Sequence, residues 1–387
     1  ASGDEDESAV KIINASDVAI DTVSATVDEF LGKVQFVHIG TNMVPYVDPQ
    51  DFKQIVEEER KRQIKGFRVQ YGQKYKFSGK YGKNLMEEVV RYAMVGGAIA
   101  MQNDFDVIHA HDWLTYLAGI SAKRLTGKPL VIHVHATEFD RSGENVNTEV
   151  FRLEQTGMRE ADKVITVSNL TRNIVINKYG IDPSKVITVH NAVDFAGRSE
   201  ITVNRTVKEK VITFLGRITY QKGPEYFIEA AYKVLQRNQN VRFVMAGSGD
   251  LLNRSIRRVA KLGIADKFHF TGFLRGADVQ KMFAYSDVYV MPSVSEPFGI
   301  SPLEAMKTNV PTIISKQSGV AEVLDYAIKV NFWDIDAMAD AMYALLEYPA
   351  LSEMAARCGT EEVNNLKWDN AATKIKDVYQ LAINMYK

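Results

Sequence analysis

The sequence predicts an α/β protein built from two Rossmann-like, doubly wound domains. Short apolar runs alternate with amphipathic stretches from about residue 104 onward, which is typical of βα units around a parallel sheet. A polar segment over residues 195–210 divides these runs into two sets and is the best candidate for a linker. The length of 387 residues agrees with two or three domains, at about 150 residues each.

The apolar runs give the predicted strands in chain order. The first set comprises Asp106–His109, Leu130–Val134, Lys163–Val167 and Val186–Val189, with helices expected over Trp113–Leu125, Thr148–Arg159 and Leu170–Tyr179. The second set comprises Val211–Leu215, Val241–Met245, Lys267–Phe270, Val288–Val290 and Thr312–Ile314. The first hundred residues are less regular, with strands expected near Val10–Ile13 and Val34–Ile39 and a helix near Phe52–Ile64.

Composition excludes several classes of protein. The net charge of −1 lacks the basic excess of a nucleic-acid binder, so no nucleic-acid partner is expected. The single cysteine, Cys358, cannot form an intramolecular disulfide and fits a reducing compartment. No apolar stretch approaches the roughly 18 residues of a spanning helix and no signal-like start is visible, so a cytoplasmic location is expected. Peripheral contact with a membrane stays open.

The segment Ser295–Glu304 is the most informative in the chain. A predicted strand precedes it, and a glycine turn lies inside it. Ser301 and Glu304 stand three residues apart, as in a capping box, with Pro302 between them, so a helix is expected to begin here. Glu304 therefore has two candidate roles, ligand contact and helix capping.

A helix start after a strand directs backbone donors at one spot. The N–H groups of Phe298, Gly299 and Ile300 and the positive end of a helix dipole would bind an anion there. Glu296 and Glu304 would bracket the spot with oxygens that accept hydrogen bonds from hydroxyl groups. Anion donors between hydroxyl acceptors suit a sugar phosphate.

A basic loop opens the second predicted domain. Arg217 and Lys222 follow its first strand, at the edge where doubly wound sheets bind ligands. A guanidinium and an ammonium can bind a diphosphate without a metal ion, and solvated surface charge is the alternative. Gly247, after a later strand, could bring backbone close to a ligand or form an ordinary turn. No complete Gly-x-Gly-x-x-Gly follows a strand, which argues against a dehydrogenase.

Four histidines stand at the ends of two predicted strands in the first domain. His133 and His135 share one face of their strand, and only His135 extends past the sheet edge, so it is the candidate for the reacting centre. We expect His109 and His133 to be core residues. For His111, a place in the core and a place in the cleft are both considered. Metal ligation is the alternative for the cluster, but no Cys or Glu stands at ligand spacing, so no metal is expected.

Four motifs taken together resemble the family 4 retaining glycosyltransferases, which include glycogen and starch synthases. They are Gly216-Arg217-x4-Lys222-Gly223, the segment 295–304, Gln317–Glu322 and His111-Asp112-Trp113. The resemblance begins near residue 84 and implies the GT-B fold, in which two Rossmann-like domains face each other across a cleft. It implies a first domain over residues 1–196, completed by a C-terminal helix over 367–387 that crosses back, and a donor domain over 209–366.

The resemblance also implies a role for each candidate residue. Arg217 and Lys222 would bind the donor diphosphate, Glu304 the ribose and Glu296 the transferred sugar, with His135 near the anomeric carbon. The resemblance also places the backbone of Phe298, Gly299, Ile300 and Ser301 around the donor. From their positions after strands, Gly247 is a further candidate for donor contact, and His111, Asp112 and Asn191 are possible cleft residues, with a hinge or rim role favoured for Asn191. The reaction would retain the anomeric configuration without a metal or cofactor. The partners would be a UDP-, ADP- or GDP-hexose, most simply a glucosyl donor, and a saccharide acceptor.

One departure from the family pattern concerns the start of the first domain. Members begin with a strand and a glycine-rich loop, and neither is found here, so the first βα unit is expected to be missing from the given chain. Gly96-Gly97 is interpreted as helix packing instead. Two alternatives remain, a GT-B sugar-nucleotide 2-epimerase and a non-catalytic protein that binds sugar nucleotides.

Overall fold

The computed structural model of the chain describes residue 13, residues 85–193 and residues 207–386. The strands expected near Val10–Ile13 and Val34–Ile39, the helix near Phe52–Ile64 and most of the linker over 195–210 lie outside the described residues. The chain divides into two compact units. The first comprises residues 1–133, 152–163 and 379–387, and the second comprises residues 134–151 and 164–378. The domain boundaries expected from the sequence stay a prediction.

The first sheet has four strands in the order β1-β2-β3-β4. They are β1 (Ile108–His111), β2 (Leu130–Val134), β3 (Lys163–Thr166) and β4 (Val186–Thr188). β1 pairs with β2, and β3 with β4, in parallel. Every residue of β2 is buried, as expected for a continuous apolar run inside a parallel sheet. The four strands predicted for this part of the chain are present, but β1 lies two residues later than the predicted Asp106–His109.

The second sheet has six strands in the order β10-β9-β8-β5-β6-β7. They are β5 (Lys210–Leu215), β6 (Val241–Ala246), β7 (Phe268–Gly272), β8 (Val288–Met291), β9 (Thr312–Ser315) and β10 (Ile328–Val330). All five pairings are parallel. The chain adds strands on one side up to β7 and then on the other side from β8, so the switch point of this doubly wound sheet lies between β5 and β8. β10 was missed because its run of three residues is too short for periodicity to register.

Twelve α-helices cover these sheets in the part of the chain that the structure describes. They are α1 (Leu85–Met101), α2 (Trp113–Thr126), α3 (Glu138–Ser142), α4 (Thr148–Glu160), α5 (Asn169–Asn177), α6 (Pro224–Leu235), α7 (Leu252–Lys261), α8 (Ala277–Tyr285), α9 (Ser301–Lys307), α10 (Ile335–Glu347), α11 (Pro349–Val363) and α12 (Trp368–Asn384). None of the helices in residues 85–193 and 207–386 combines the length and apolar character needed to cross a bilayer.

Helix α1 packs against α2 through its glycines. A Cβ atom on Gly96 would lie 2.9 Å from the Cβ of Ala118, and one on Gly97 would lie 2.6 Å from Oγ of Ser121. Such distances leave no room for a side chain at either position. The interpretation of Gly96-Gly97 as helix packing is confirmed.

Helix α12 begins at Trp368, as predicted, and its last turns belong to the first unit. The hydroxyl of Tyr379 lies 2.6 Å from Nδ1 of His109 in β1. The hydroxyl of Tyr386 lies 3.2 Å from the carboxylate oxygens of Asp162, which also pair with Lys123. These contacts hold the end of the chain against β1 and the residue before β3.

Candidate functional site

Two loops leave the carboxyl ends of neighbouring strands at the switch point of the second sheet. One follows β5 and the other follows β8, and these strands pair directly. The N–H of Val294 donates to the carbonyl of Gln221 across 2.9 Å, which joins the loops. Gly223 has φ 65°, and a Cβ there would lie 2.2 Å from the carbonyl oxygen of Pro292. Glycine is therefore required where the loops meet.

Lys222 and Glu296 form an ion pair between these loops. Their side chains are only 20% and 9% exposed. The hydroxyl of Ser293 donates to the same Glu296 oxygen across 3.2 Å. The Glu296 backbone is held on both sides, because its N–H donates to Gln317 (3.0 Å) and its carbonyl accepts from Gly319 (2.8 Å). The structure thus brings together the residues predicted to bind the donor diphosphate and the transferred sugar.

Arg217 lies on the same loop as Lys222 and is half-buried. Its Nη2 donates to Oε1 of Gln221 across 3.0 Å, and Gln221 itself is buried. A guanidinium anchored by a buried amide keeps a fixed position. The loop therefore presents two cations, as the sequence predicted.

The turn before α9 presents backbone donors. Gly299 has φ 102°, a conformation that favours glycine, and Ile300 is the residue before the helix. Within residues 85–193 and 207–386, no acceptor takes a hydrogen bond from the N–H groups of Phe298, Gly299 or Ile300. The predicted anion donors are present at this edge, although α9 itself is only seven residues long.

The capping box expected from Ser301 and Glu304 is wrong. Ser301 is the first helical residue and not the cap, and the residue that precedes it, Ile300, has no side-chain oxygen. The hydroxyl of Ser301 instead lies 2.7 Å from the hydroxyl of Tyr289. Tyr289 reaches it from β8, a tertiary contact that the local spacing could not show. The helix-capping role considered for Glu304 is therefore wrong.

Tyr289 is a site residue that the sequence did not reveal. It is fully buried in β8, and its hydroxyl lies beneath Ser301 and 3.3 Å from the carbonyl oxygen of Leu215. Burial raises the pKa of Tyr289, and the neighbouring charges of Glu296 and Glu304 raise it further. The phenol therefore stays protonated and fixes the start of α9. The sequence signal for this role was the hydroxyl of Tyr289, a single polar group inside the apolar run Val288–Met291.

Gly247, a predicted donor contact, lies directly after β6. It has φ 141°, and a Cβ there would lie 1.8 Å from the carbonyl oxygen of Gly216. The glycine therefore lets two loop backbones touch and supports the loop that carries Arg217.

His135 is the first residue after β2 and is half-buried. The loop that follows it is closed by Asp140, whose Oδ2 accepts from the N–H (2.7 Å) and the hydroxyl (2.8 Å) of Thr137. The other Asp140 oxygen accepts from the hydroxyl of Ser295 across 2.6 Å. Asp140 thus joins the loop after His135 to the residue before Glu296.

Asp140 is almost completely buried, and this burial raises its pKa, with the hydrogen bonds from Ser295 and Thr137 opposing the shift. The sequence analysis missed this residue. Its signal was the Thr-x-x-Asp capping box that begins α3.

Glu322 ends the motif Gln317–Glu322 and connects to the segment before Asn191. Its carboxylate accepts from the N–H groups of Asn169 and Leu170 at the start of α5, each at 2.8 Å, and lies 2.7 Å from Nε2 of His190. Burial opposes ionisation, but these hydrogen bonds outweigh it and lower the pKa of Glu322. Asn191 follows His190 and is half-buried.

His111 and Asp112 lie in the first unit, at the end of β1. His111 is exposed, and His133 is buried, as predicted for a core residue. His109, also predicted to lie in the core, is only half-buried. Asp112 has φ 57° and begins α2. Their predicted place in a cleft stays a prediction.

The switch point of this doubly wound α/β sheet carries cations, a carboxylate and backbone donors. Comparison with known proteins defines the class as a glycosyltransferase and gives the family. Residues 199–362 match the model of glycosyl transferases group 1, and residues 77–196 match that of glycosyltransferase family 4. An uncharacterized glycosyltransferase of Methanocaldococcus jannaschii is 32% identical over 300 residues, which cover 73% of this chain and 76% of the relative. The chain belongs to the family 4 glycosyltransferases.

Other relatives agree with this assignment. Glycogen synthase of Mycobacterium tuberculosis is 26% identical over 285 residues, covering 72% of this chain and 69% of that protein. The crystal structure of Anabaena HepE in complex with UDP and glucose superposes with a TM-score of 0.65 at 17% identity, over 85% of this chain and 89% of HepE. The predicted GT-B fold and the resemblance to the glycogen synthase group are confirmed.

Proposed function

We propose that this glycosyltransferase moves a hexose, most simply glucose, from a nucleoside-diphosphate sugar to a hydroxyl group of a saccharide acceptor. The observation that carries the proposal is the ion pair of Lys222 with Glu296 at the switch point. Lys222, the cation of this pair, would bind the diphosphate, and Glu296, its carboxylate, would accept hydrogen bonds from sugar hydroxyls. UDP and glucose bound to the structurally similar HepE support a donor of this kind.

The charges of the site suit stabilisation of a leaving diphosphate. The bond from the anomeric carbon to the diphosphate oxygen breaks, and the acceptor oxygen bonds to that carbon on the same face, so that the configuration is retained. The acceptor proton passes to the departing phosphate. Arg217, Lys222 and the N–H groups of Gly299 and Ile300 meet the developing charge, which is the role that a metal ion has in other transferases.

The sugar and the nucleoside are held by different groups. Glu296 accepts hydrogen bonds from the sugar hydroxyls and Glu304 from the ribose, while His135 lies beside the anomeric carbon. Ser301 and the backbone before it complete the donor site, and Tyr289 keeps them in place.

The experiment uses the full chain with UDP-, ADP- and GDP-glucose and a malto-oligosaccharide acceptor, without added Mg²⁺. Release of nucleoside diphosphate should require the acceptor, and proton NMR should show an α-linked product. Lys222→Met should lower kcat/KM by about 10² to 10³, as for other lost oxyanion donors. Lys210→Met, which breaks an exposed pair with Asp287 (3.0 Å), is the matched control and should retain the wild-type rate. A β-linked product, or nucleotide release without acceptor as in a 2-epimerase, would contradict the proposal.

A further inference from the structure

Three histidines of the first unit lie on one face of its sheet. β1 and β2 pair in a register that sets His111 directly opposite His133. His109 lies two residues before His111, and residues two apart along a strand point to the same face. Strand pairing therefore groups three imidazoles that are spread over 25 positions of the sequence.

The three imidazoles are close enough to share one ion. One ring nitrogen from each histidine lies within 4.8 Å of the others. Ring centroids are 4.2 Å apart for His109 and His111, and 5.2 Å apart for His111 and His133. A tetrahedral zinc ion with Zn–N bonds of about 2.0–2.1 Å holds its nitrogens about 3.3 Å apart. Rotation about the broad imidazole torsions is the movement by which the nitrogens would reach that separation.

Tyr379 supports His109 as a ligand. Its hydroxyl lies 2.6 Å from Nδ1 of His109, so Nε2 is the nitrogen that would coordinate an ion. Metal-bound histidines almost always have such a partner on the other ring nitrogen, because it fixes the tautomer and the orientation of the ring.

The cluster also has a route for an ion. His111 is exposed, His109 half-buried and His133 buried, so an ion can enter from the side of His111. Imidazole nitrogens suit zinc, copper, nickel and cobalt, and not the hard cations Mg²⁺ and Ca²⁺.

We propose that His109, His111 and His133 bind one divalent transition-metal ion, with Zn²⁺ as the expected occupant, and that water takes the fourth position. The three histidines belong to the first unit, and the proposal does not depend on the proposed transfer reaction. Through Tyr379 the ion would tie α12 to the sheet, so its role is to stabilise the first unit.

The test uses the tag-free full chain, stripped with a chelator and titrated with Co²⁺, whose visible absorption reports tetrahedral nitrogen ligation. We expect one equivalent of Co²⁺ to bind and Zn²⁺ to displace it. Tyr379→Phe should weaken Co²⁺ binding about 10- to 100-fold, as is usual for an outer hydrogen-bond partner, and His111→Gln should weaken it more. His111 is exposed, so its replacement should leave the fold intact.

His269→Gln is the matched control, because His269 is an exposed histidine on β7 in the other unit, and it should bind Co²⁺ as the wild type does. The melting temperature of the wild type should rise with Zn²⁺, and that of His111→Gln should not. Absence of a saturable Co²⁺ band, or equal Co²⁺ affinity of the wild type and His111→Gln, would overturn the proposal.

Discussion

The hydroxyl of Ser295 lies 2.6 Å from the carboxylate of the buried Asp140, which joins the loop after His135 to the loop of Glu296. The two residues proposed to contact the sugar thus stand beside a common hydrogen-bond network within the second unit. A change at Asp140 should act on both loops at once.

Asp140→Asn should change how stability depends on pH. Burial raises the pKa of Asp140 above its ordinary 3.8. At pH values between 3.8 and the raised pKa, Asp140 is protonated in the folded chain and ionised in the unfolded chain. Stability due to this group is therefore present at low pH and falls as the pH rises through that window. The wild-type melting temperature should drop relative to the variant as the pH rises above about 4. Asp377→Asn, at an exposed position of α12, controls for the lost charge; a pH-independent difference would contradict the prediction.

Glu304→Gln separates ligand contact from helix stability. Gln keeps the length of the side chain and its ability to hydrogen-bond, and no capping box involves Glu304, so the melting temperature should change little. The affinity for a nucleoside-diphosphate sugar should fall about 10- to 100-fold, the loss expected for one charged hydrogen bond of about 1.5–3 kcal/mol. Calorimetric titration gives the affinity. Unchanged binding together with lowered stability would assign Glu304 a purely structural role.

Glu322→Gln should weaken the attachment of α5 to the motif Gln317–Glu322. The pKa of Glu322 is lowered from 4.5, so its stabilising contribution is present above pH 4.5 and is lost as the pH falls through the lower folded value. We expect the free energy of unfolding to drop by about 1 kcal/mol at neutral pH, after allowance for solvent screening. Urea denaturation at several pH values measures it. The exposed Glu361→Gln should show no such loss. A deficit that did not shrink as the pH was lowered below 4.5 would argue against the ionic origin.

Gly247→Ala should strongly destabilise the fold. Its methyl group would lie 1.8 Å from the Gly216 carbonyl, in a backbone conformation with φ 141° that alanine avoids. Steric overlap and backbone strain together should cost about 3 kcal/mol or more, seen as a lower melting temperature. Gly263→Ala is the control for strain alone, because it has φ 71° with nothing within 4 Å, and should cost about 1–2 kcal/mol. Equal losses for both variants would show that the close approach does not matter.

Much of the fold could be predicted because strands of a parallel sheet are continuous apolar runs. The strands over Val241–Met245 and Leu130–Val134 match the structure to within a residue at either end. The candidate residues at strand ends also followed, since parallel strands end at one edge. Tyr289 and Asp140 could not be placed, because a buried polar group is identified by partners that are distant in sequence.

The sequence by itself determined the family and the two sets of βα units, because these depend on local order along the chain. For the same reason it offered Arg217, Lys222, Glu296 and Glu304 as candidate site residues. Only the tertiary structure decided which groups meet. In the tertiary structure Lys222 forms an ion pair with Glu296, and His109 lies close to His111 and His133. The hydroxyl of Ser301 forms a hydrogen bond with Tyr289 and does not cap a helix. These contacts depend on strand order and register, which fix distances between residues that are far apart in the chain and leave no trace in local spacing.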